Sequence, residues 1–147
     1  MNIPLTNINA LIVDMDGVLW HGEQAIAGLS DFFQLLREQA LPFILATNNA
    51  SNTAEQYVEK LARMGVTVKQ EEILTSGMAT ALYLAKHKEP TNTRIFVLGE
   101  KGASLPLLDQ GFTLTDIYQL NSPETPNEGA DIVVCGKDET INWNKLS

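Results

Sequence analysis

The chain has 147 residues, a net charge of −8, and 44% apolar and 19% charged residues. This length allows one domain with a real core, or a small domain plus part of another, and the composition is that of a soluble globular protein. The acidic charge argues against a nucleic-acid or anionic-membrane partner, and no apolar run reaches membrane-spanning length. The lone Cys135 excludes an internal disulfide, so we expect a cytoplasmic location.

An apolar run at residues 10–13 leads into Asp14-Met-Asp16-Gly17. A short β-branched run followed by a turn signal predicts a buried strand of a parallel sheet, and ligands gather beyond the carboxyl ends of such strands. Two carboxylates this close repel each other, and oxygen ligands of this kind suit Mg²⁺. We therefore expect Asp14 and Asp16 to bind a divalent cation. The alternative is that one acid caps a helix and the other is solvated.

Strands and helices alternate along the following residues. The pattern predicts a loop or small hairpin at 21–27, a helix at 28–39, a strand at 43–46, a helix from Asn52 or Thr53 to Gly65, a brief strand at 72–74, and a helix at 77–86 capped by Ser76. Helices that follow strands at this spacing indicate βαβ units. The predicted fold class is therefore α/β, with a doubly wound parallel sheet.

A charged and polar break around Pro90 predicts a domain boundary, with residues 1–90 before it and residues 93–147 after it. The second part is predicted to contain a strand at 94–98, a helix at 103–110 that ends at Gly111, a loop at 121–129, and a strand at 131–135. A further helix is predicted to begin near Asn142. The sequence ends barely one turn later, so we expect the chain to be truncated within that helix.

Thr47-Asn48-Asn49 follows the second predicted strand. A hydroxyl and backbone N–H groups at the start of a helix can cradle a phosphate group. Alone, such a turn is more often an ordinary capping loop. Paired with the two acids behind the first strand, it favours a phosphate site.

Together, these motifs resemble those of the haloacid dehalogenase (HAD) superfamily of phosphotransferases. The later stretches resemble its NagD-like sugar-phosphate and nitrophenyl-phosphate phosphatases; they begin at Ser76, Val97, Val133 and Thr140 and read Ser-Gly-Met-Ala-Thr-Ala, Val-Leu-Gly-Glu-Lys-Gly, Val-Val-Cys-Gly-Lys-Asp and Thr-Ile-Asn-Trp. The resemblance covers essentially the whole chain. It implies a Rossmann-like core up to residue 90 and the opening part of an α/β cap from residue 93.

The resemblance also implies a role for each site residue. Asp14 would be the nucleophile that forms an aspartyl-phosphate, and Asp16 would protonate the leaving alcohol and then deprotonate the hydrolytic water. Mg²⁺ would bind the Asp14 carboxylate and the Asp16 backbone carbonyl. Thr47 and the Asn48 backbone would hold the phosphoryl oxygens, with Asn49 in the same loop.

The family pattern also includes a lysine, usually within Gly-Lys-Pro, and a later Gly-Asp run whose acids complete the metal site. Neither occurs in this sequence. Lys137 lacks the following proline and is predicted to be solvated, and Asp138 and Glu139 do not fit the late metal motif. Cys135 is predicted to be a buried, small apolar side chain. The chain is therefore expected to carry half of the active site.

The leading hypothesis is Mg²⁺-dependent hydrolysis of small phosphate monoesters, such as sugar phosphates or nucleotides, through an aspartyl-phosphate. The first alternative is an incomplete fragment or pseudo-enzyme that binds metal, phosphate or a partner. The second is a phospho-accepting receiver domain, which is disfavoured because Asp14 and Asp16 are not adjacent. The substrate is left open because the cap that would select it is incomplete. Self-association through the cap is a further expectation.

Overall fold

The computed structural model describes residues 8–116 and 129–146. Its elements are β1 (Leu11–Asp14), β2 (Trp20–His21), β3 (Gln24–Ala25), α1 (Leu29–Glu38), β4 (Phe43–Thr47), α2 (Ala54–Arg63), β5 (Ile73–Thr75), α3 (Ser76–His87), β6 (Arg94–Leu98), α4 (Lys101–Asp109), β7 (Thr113–Thr115), β8 (Ile132–Cys135) and α5 (Trp143–Leu146). The predicted alternation of strands and helices is confirmed. Over the described ranges, none of the helices is both long and apolar enough to cross a membrane.

The first sheet has the strand order β1-β4-β5. Strands β1 and β4 are parallel, with Leu11 opposite Phe43 and Asp14 opposite Ala46. The central strand β4 alternates between buried and half-buried residues, as its apolar sequence requires. The prediction that β1 is buried is wrong, because Ile12 is 81% exposed. In the described part of the chain β1 lies at the sheet edge, and the burial of its residues alternates.

Helices α1 and α2 each bury one apolar stripe. Helix α1 buries Leu29, Phe33 and Leu36, and helix α2 buries Tyr57 and Leu61. These residues recur at spacings of three and four, which place them on one face of a helix. Both predicted helices are therefore confirmed, with ends that differ by one or two residues from the prediction.

Strands β2 and β3 form an antiparallel hairpin in which Trp20 lies opposite Ala25. Gly22 lies in its turn with a φ of 59°, in the left-handed region that glycine adopts without steric cost. Of the two alternatives for residues 21–27, the hairpin is therefore confirmed. Trp20 is only 1% exposed, so its indole fixes one end of the hairpin in the core.

The chain groups into two compact units. The first unit comprises Met1–Thr47 and Glu55–Leu74, and the second comprises Asn48–Ala54 and Thr75–Ser147. Helix α3 falls in the second unit, although it lies within the predicted first domain, residues 1–90. A compact unit need not coincide with a domain, so the division into residues 1–90 and 93–147 stays a prediction.

The second unit contains a parallel sheet in the order β7-β6-β8. Its core is formed by Ala81, Ile95, Leu107 and Phe112. Strand β7 was not predicted, because three residues, Thr-Leu-Thr, are too few to show a periodicity. Both three-stranded sheets contain parallel pairs, and the predicted α/β fold class is confirmed.

Two local predictions in the second unit are wrong. Helix α3 is capped by Thr75, whose Oγ1 accepts a hydrogen bond of 3.1 Å from the Met78 N–H, whereas Ser76 is already helical. The extended backbone of Thr75 is the geometry that such a cap requires. Cys135 is exposed, because it lies on the solvent side of the burial alternation of β8. Of the loop predicted at 121–129, residues 121–128 lie outside the described residues.

Candidate active site

Two of the predicted site residues end neighbouring parallel strands of the first unit. Asp14 is the last residue of β1 and pairs with Ala46, so Thr47, the last residue of β4, lies one position beyond that pair. Asp14 is exposed, whereas Thr47 is buried. The predicted adjacency of these two strand ends is confirmed. It follows from the parallel register, which brings the carboxyl ends of both strands to the same edge.

The chain turns sharply after Asp14. Oδ1 of Asp14 accepts a hydrogen bond of 2.9 Å from the N–H of Met15, a residue that is fully buried. The Met15 carbonyl accepts from the N–H of Leu19, and the N–H of Gly17 donates to the Trp20 carbonyl. Gly17 has a φ of 81°, which a residue with a Cβ rarely adopts. The turn predicted at Gly17 is confirmed, and it presents Asp14 and Asp16 at the surface.

Both carboxylate oxygens of Asp16 accept hydrogen bonds. Oδ1 accepts from Nε1 of Trp20 at 2.9 Å, and Oδ2 accepts from Oγ1 of Thr47 at 3.2 Å. The Asp16 side chain therefore connects the loop after β1 with the end of β4. Two of the predicted site residues, Asp16 and Thr47, are in direct contact.

Trp20 was not among the residues predicted for the site. It is nearly fully buried, stacks on Tyr57 with ring centroids 6.2 Å apart, and has Nζ of Lys60 4.7 Å from its ring centroid. Lys60 also donates to the Gly22 carbonyl at 2.8 Å and pairs with Glu23 at 3.1 Å. A buried indole N–H needs an acceptor, and Asp16 precedes Trp20 by four residues in the sequence. That requirement was the signal by which Trp20 could have been found.

Asn48 and Asn49 follow Thr47 in the chain and belong to the second unit. The Asn48 carbonyl accepts a hydrogen bond of 2.9 Å from Oγ of Ser76, and Oδ1 of Asn49 accepts one of 2.9 Å from the Ser51 N–H. The latter contact is the side-chain turn expected of a capping loop. Both asparagines also line an open pocket of about 460 Å³, here called the second-unit pocket.

The donors at the strand ends fit a hard divalent cation in kind but are few in number. Asp14 and Asp16 offer oxygen atoms, which are the ligands that Mg²⁺ prefers. Among the described residues there is no group of three or more His, Cys, Asp or Glu side chains that could hold a metal. Mg²⁺ at Asp14 and Asp16 would therefore keep most of its water ligands.

The acids after β8 are engaged by lysines. Lys145 Nζ lies 2.7 Å from Oδ2 of Asp138, and Lys137 Nζ lies 2.6 Å from Oε1 of Glu139. The hydrogen bond from Lys145 lowers the pKa of Asp138, and the one from Lys137 lowers the pKa of Glu139. That neither acid serves as the late metal motif stays a prediction.

A family model described as haloacid dehalogenase-like hydrolase matches residues 11–113. The matched range contains Asp14, Asp16 and Thr47 and most of the chain. The chain therefore belongs to the haloacid dehalogenase-like hydrolases, as its motifs predicted.

The relatives also identify the branch. The acid sugar phosphatase of Staphylococcus saprophyticus is 33% identical over 143 residues, which are 97% of this chain and 51% of that protein. The structure of NagD from E. coli K-12 matches with a TM-score of 0.79 and 32% identity, over 95% of this chain and 50% of that one. A hypothetical protein from Pyrococcus horikoshii OT3 matches with a TM-score of 0.86 and 37% identity, over 95% and 52%. The predicted NagD-like branch and its Rossmann-like fold are confirmed, and the chain spans about half the length of these relatives.

Proposed function

We propose that this chain carries the nucleophile and the general acid of a phosphatase that hydrolyses small phosphate monoesters. The observation that supports this function best is the hydrogen bond of 3.2 Å between Thr47 and Asp16, next to the exposed carboxylate of Asp14 at the end of β1. Membership of the family adds to it, because the acid sugar phosphatase relative is 33% identical to this chain over 143 aligned residues.

In the proposed reaction, an oxygen of Asp14 attacks phosphorus, and the bond from phosphorus to the ester oxygen breaks. Asp16 gives its proton to that departing oxygen. A water molecule then attacks the aspartyl-phosphate and Asp16 takes up the proton. The bond between Asp14 and phosphorus breaks, and orthophosphate leaves. Thr47 and the Asn48 backbone hold phosphoryl oxygens, with Asn49 in the same loop.

Mg²⁺ is the proposed cofactor, bound by the Asp14 carboxylate and the Asp16 backbone carbonyl. When bound, it offsets the negative charge of the phosphoryl oxygens, which an acidic chain would otherwise repel. The Gly-Lys-Pro and Gly-Asp runs of the family do not occur in these residues. Losing one preorganised group of this kind costs about 10²–10³ in rate. We therefore expect this chain to turn over far more slowly than a chimaera that adds the C-terminal half of a relative.

The test is the reaction of this chain with p-nitrophenyl phosphate and Mg²⁺, followed by release of nitrophenolate and by the intact mass after an acid quench. We expect slow release and a fraction of protein heavier by one phosphoryl group. Asp14→Asn should abolish both. Asp31→Asn, which changes an exposed acid in the first turn of α1, should abolish neither.

The same measurement addresses the alternative of a pseudo-enzyme. The proposed function would be rejected if neither the chain nor the chimaera released nitrophenolate or gained a phosphoryl group. That result would favour a protein that only binds metal or phosphate. We further propose a small phosphorylated metabolite as the substrate and the cytoplasm as the location, for which the lone Cys135 is the support. Self-association through residues 93–147 stays a prediction.

A further inference from the structure

Lys60 in α2 carries a mostly buried charge that contacts the β2–β3 hairpin. Its side chain is 14% exposed, and its ammonium nitrogen lies 2.8 Å from the Gly22 carbonyl oxygen, 3.1 Å from Oε1 of Glu23 and 4.7 Å from the centroid of the Trp20 ring. A cation that is withdrawn from water needs such partners, because they replace its hydration. All three partners belong to the hairpin or its turn, so this one side chain connects the hairpin to α2.

The three contacts of Lys60 differ in strength. Glu23 is 78% exposed, so water screens its ion pair with Lys60 and the pair contributes little. The Trp20 ring is nearly fully buried, and a cation over a desolvated aromatic ring is attracted more strongly than a cation over an exposed one. The Gly22 carbonyl adds a hydrogen bond from a charged donor. We therefore expect the ring and the carbonyl, rather than Glu23, to fix the position of Lys60.

The ring that Lys60 contacts is the one that binds Asp16. Nε1 of Trp20 donates to Oδ1 of Asp16 at 2.9 Å, and the Tyr57 ring stacks on the indole with an angle of 21° between the two planes. Tyr57 and Lys60 are three residues apart in α2, a spacing that places both on the same face of the helix. Helix α2 therefore contacts the indole at two points, and both contacts restrict the direction in which its N–H points.

We propose that Lys60 is a positioning residue of the site. Its ammonium group fixes the Trp20 indole and the hairpin, and through the indole N–H it holds the Asp16 carboxylate in the orientation that proton transfer requires. The inference rests on the proposed function of Asp16 as the general acid. It adds to that function a residue of α2 that acts on Asp16 only through Trp20. The hold of Lys60 on the indole can be measured without any turnover.

The indole N–H of Trp20 is the direct reporter of this arrangement. The sequence contains two tryptophans, so the chain labelled with ¹⁵N-tryptophan gives two indole N–H signals, which the Trp20→Phe variant assigns. Lys60→Met keeps most of the apolar stem and removes the charge. We expect it to speed the exchange of the Trp20 indole proton with solvent about tenfold and to shift its resonance upfield, because the hydrogen bond to Asp16 is held less firmly. The signal of the exposed Trp143 should not change.

Three further variants separate the charge of Lys60 from a general loosening of the fold. Lys60→Arg keeps a cation that can lie over the ring and donate to the carbonyl, so it should restore slow exchange. Glu23→Gln should change the exchange rate by less than about twofold, because the ion pair is exposed. Lys69→Met removes an exposed lysine and should have no effect. Exchange in Lys60→Met as slow as in the parent, or equally fast exchange in Lys69→Met, would overturn the proposal.

The effect of Lys60 on the reaction is measured in the chimaera. For an alkyl phosphate, Lys60→Met should lower kcat about fivefold and leave KM unchanged, because the residue acts on proton transfer and not on substrate binding. Lys60→Arg should restore kcat. In the Trp20→Phe background, Lys60→Met should cause no further loss, because the N–H through which it acts is already absent. Additive losses in this double variant would reject an action through Trp20.

A failure of the proposed function and a failure of the role of Lys60 give different results. A chimaera that releases no phosphate with Lys60 in place would reject the phosphatase function, and the exchange of the indole proton would still decide whether Lys60 fixes Trp20. Fast indole exchange in Lys60→Met together with an unchanged kcat would reject the positioning role and leave the phosphatase function in place.

Discussion

The indole N–H of Trp20 donates a hydrogen bond of 2.9 Å to Oδ1 of Asp16. The indole cannot move freely, because it is buried, stacks on Tyr57, and lies under the ammonium group of Lys60. The orientation of the proposed general acid is therefore set by a rigid aromatic side chain together with the Thr47 hydroxyl. Trp20 is a positioning residue in this arrangement, since it acts on the reaction through Asp16.

Replacing Trp20 by phenylalanine keeps an aromatic ring and removes the N–H donor. In the chimaera with a complete site, we expect Trp20→Phe to lower the rate of phosphate release. General acid catalysis contributes a factor of about 10²–10⁴ to the rate. A misoriented Asp16 should therefore lower the rate of phosphate release about tenfold. The loss should be larger for an alkyl phosphate than for p-nitrophenyl phosphate, because nitrophenolate leaves without needing a proton.

The matched control is Trp143→Phe, which changes a tryptophan that is 84% exposed. It should leave both rates unchanged. Equal loss of rate on the alkyl and the nitrophenyl substrate in Trp20→Phe would point to general damage to the fold and contradict the positioning role.

Mg²⁺ is expected to bind the present chain weakly and through Asp14. The described residues do not bring three acidic, histidine or cysteine side chains together, so few protein ligands replace the water around the ion. Titration calorimetry of the chain should show a dissociation constant in the millimolar range, and Asp14→Asn should weaken binding further. If both proteins bound Mg²⁺ equally, the ion would be held elsewhere.

Gly102 is expected to tolerate no side chain. A Cβ at this position would collide with the backbone oxygens of Ala50 and Asn52. Backbone atoms cannot turn aside as a side chain can, so we expect Gly102→Ala to lower the free energy of unfolding by about 1–3 kcal/mol. Urea denaturation measures this. Gly129→Ala is the control, because a Cβ there has no atom within 4 Å; its effect should stay below about 0.5 kcal/mol.

The Arg37–Glu72 pair predicts a pH-dependent part of the stability. Nη1 of Arg37 lies 2.5 Å from Oε1 of Glu72. The hydrogen bond from Arg37 lowers the pKa of Glu72 in the folded chain. A carboxyl with a lowered folded pKa stabilises above its unfolded pKa, and this contribution is lost as the pH falls through the folded value. Because Arg37 is half-exposed, we expect Glu72→Gln to cost about 0.5–1 kcal/mol at pH 7.

That cost should shrink as the pH falls below the ordinary glutamate pKa, and it should vanish once the pH is below the lowered pKa of Glu72 in the folded chain. Urea denaturation at several pH values would measure it. Glu71→Gln is the neighbouring control, because the Glu71 side chain is 73% exposed and lies 3.6 Å from Lys69. A difference between Glu72→Gln and the parent that stayed constant with pH would contradict this assignment.

The strands that carry the site could be predicted from local pattern. Short apolar runs end at Val13 and Ala46, and the polar residues that follow them reach one edge of the sheet because the strands are parallel. The burial of β1 could not be predicted in the same way. An apolar run indicates a strand but not what covers it, and Ile12 is exposed although its sequence is that of an interior strand.

Contacts between residues far apart in the sequence could not be predicted. Cys135 looked like a buried residue, yet the alternation of β8 turns it outward and into the lining of a pocket. Lys137 was predicted to be simply solvated; it is exposed and paired with Glu139, and it also lines that pocket. Neither outcome depends on nearby residues alone, because the loop after β4 and the start of α3 complete the pocket.

The contact between Gly102 and the loop after β4 has a consequence for the order of folding. The Gly102 N–H donates to the Ser51 carbonyl, and the chain between these partners includes α2, β5 and α3. The loop that contains Asn48 and Asn49 can therefore take its final conformation only after α4 has been synthesised and has docked. Contacts of such long sequence separation form late and slowly. During synthesis on the ribosome, the strands of the first sheet can therefore pair before this loop has reached its final conformation.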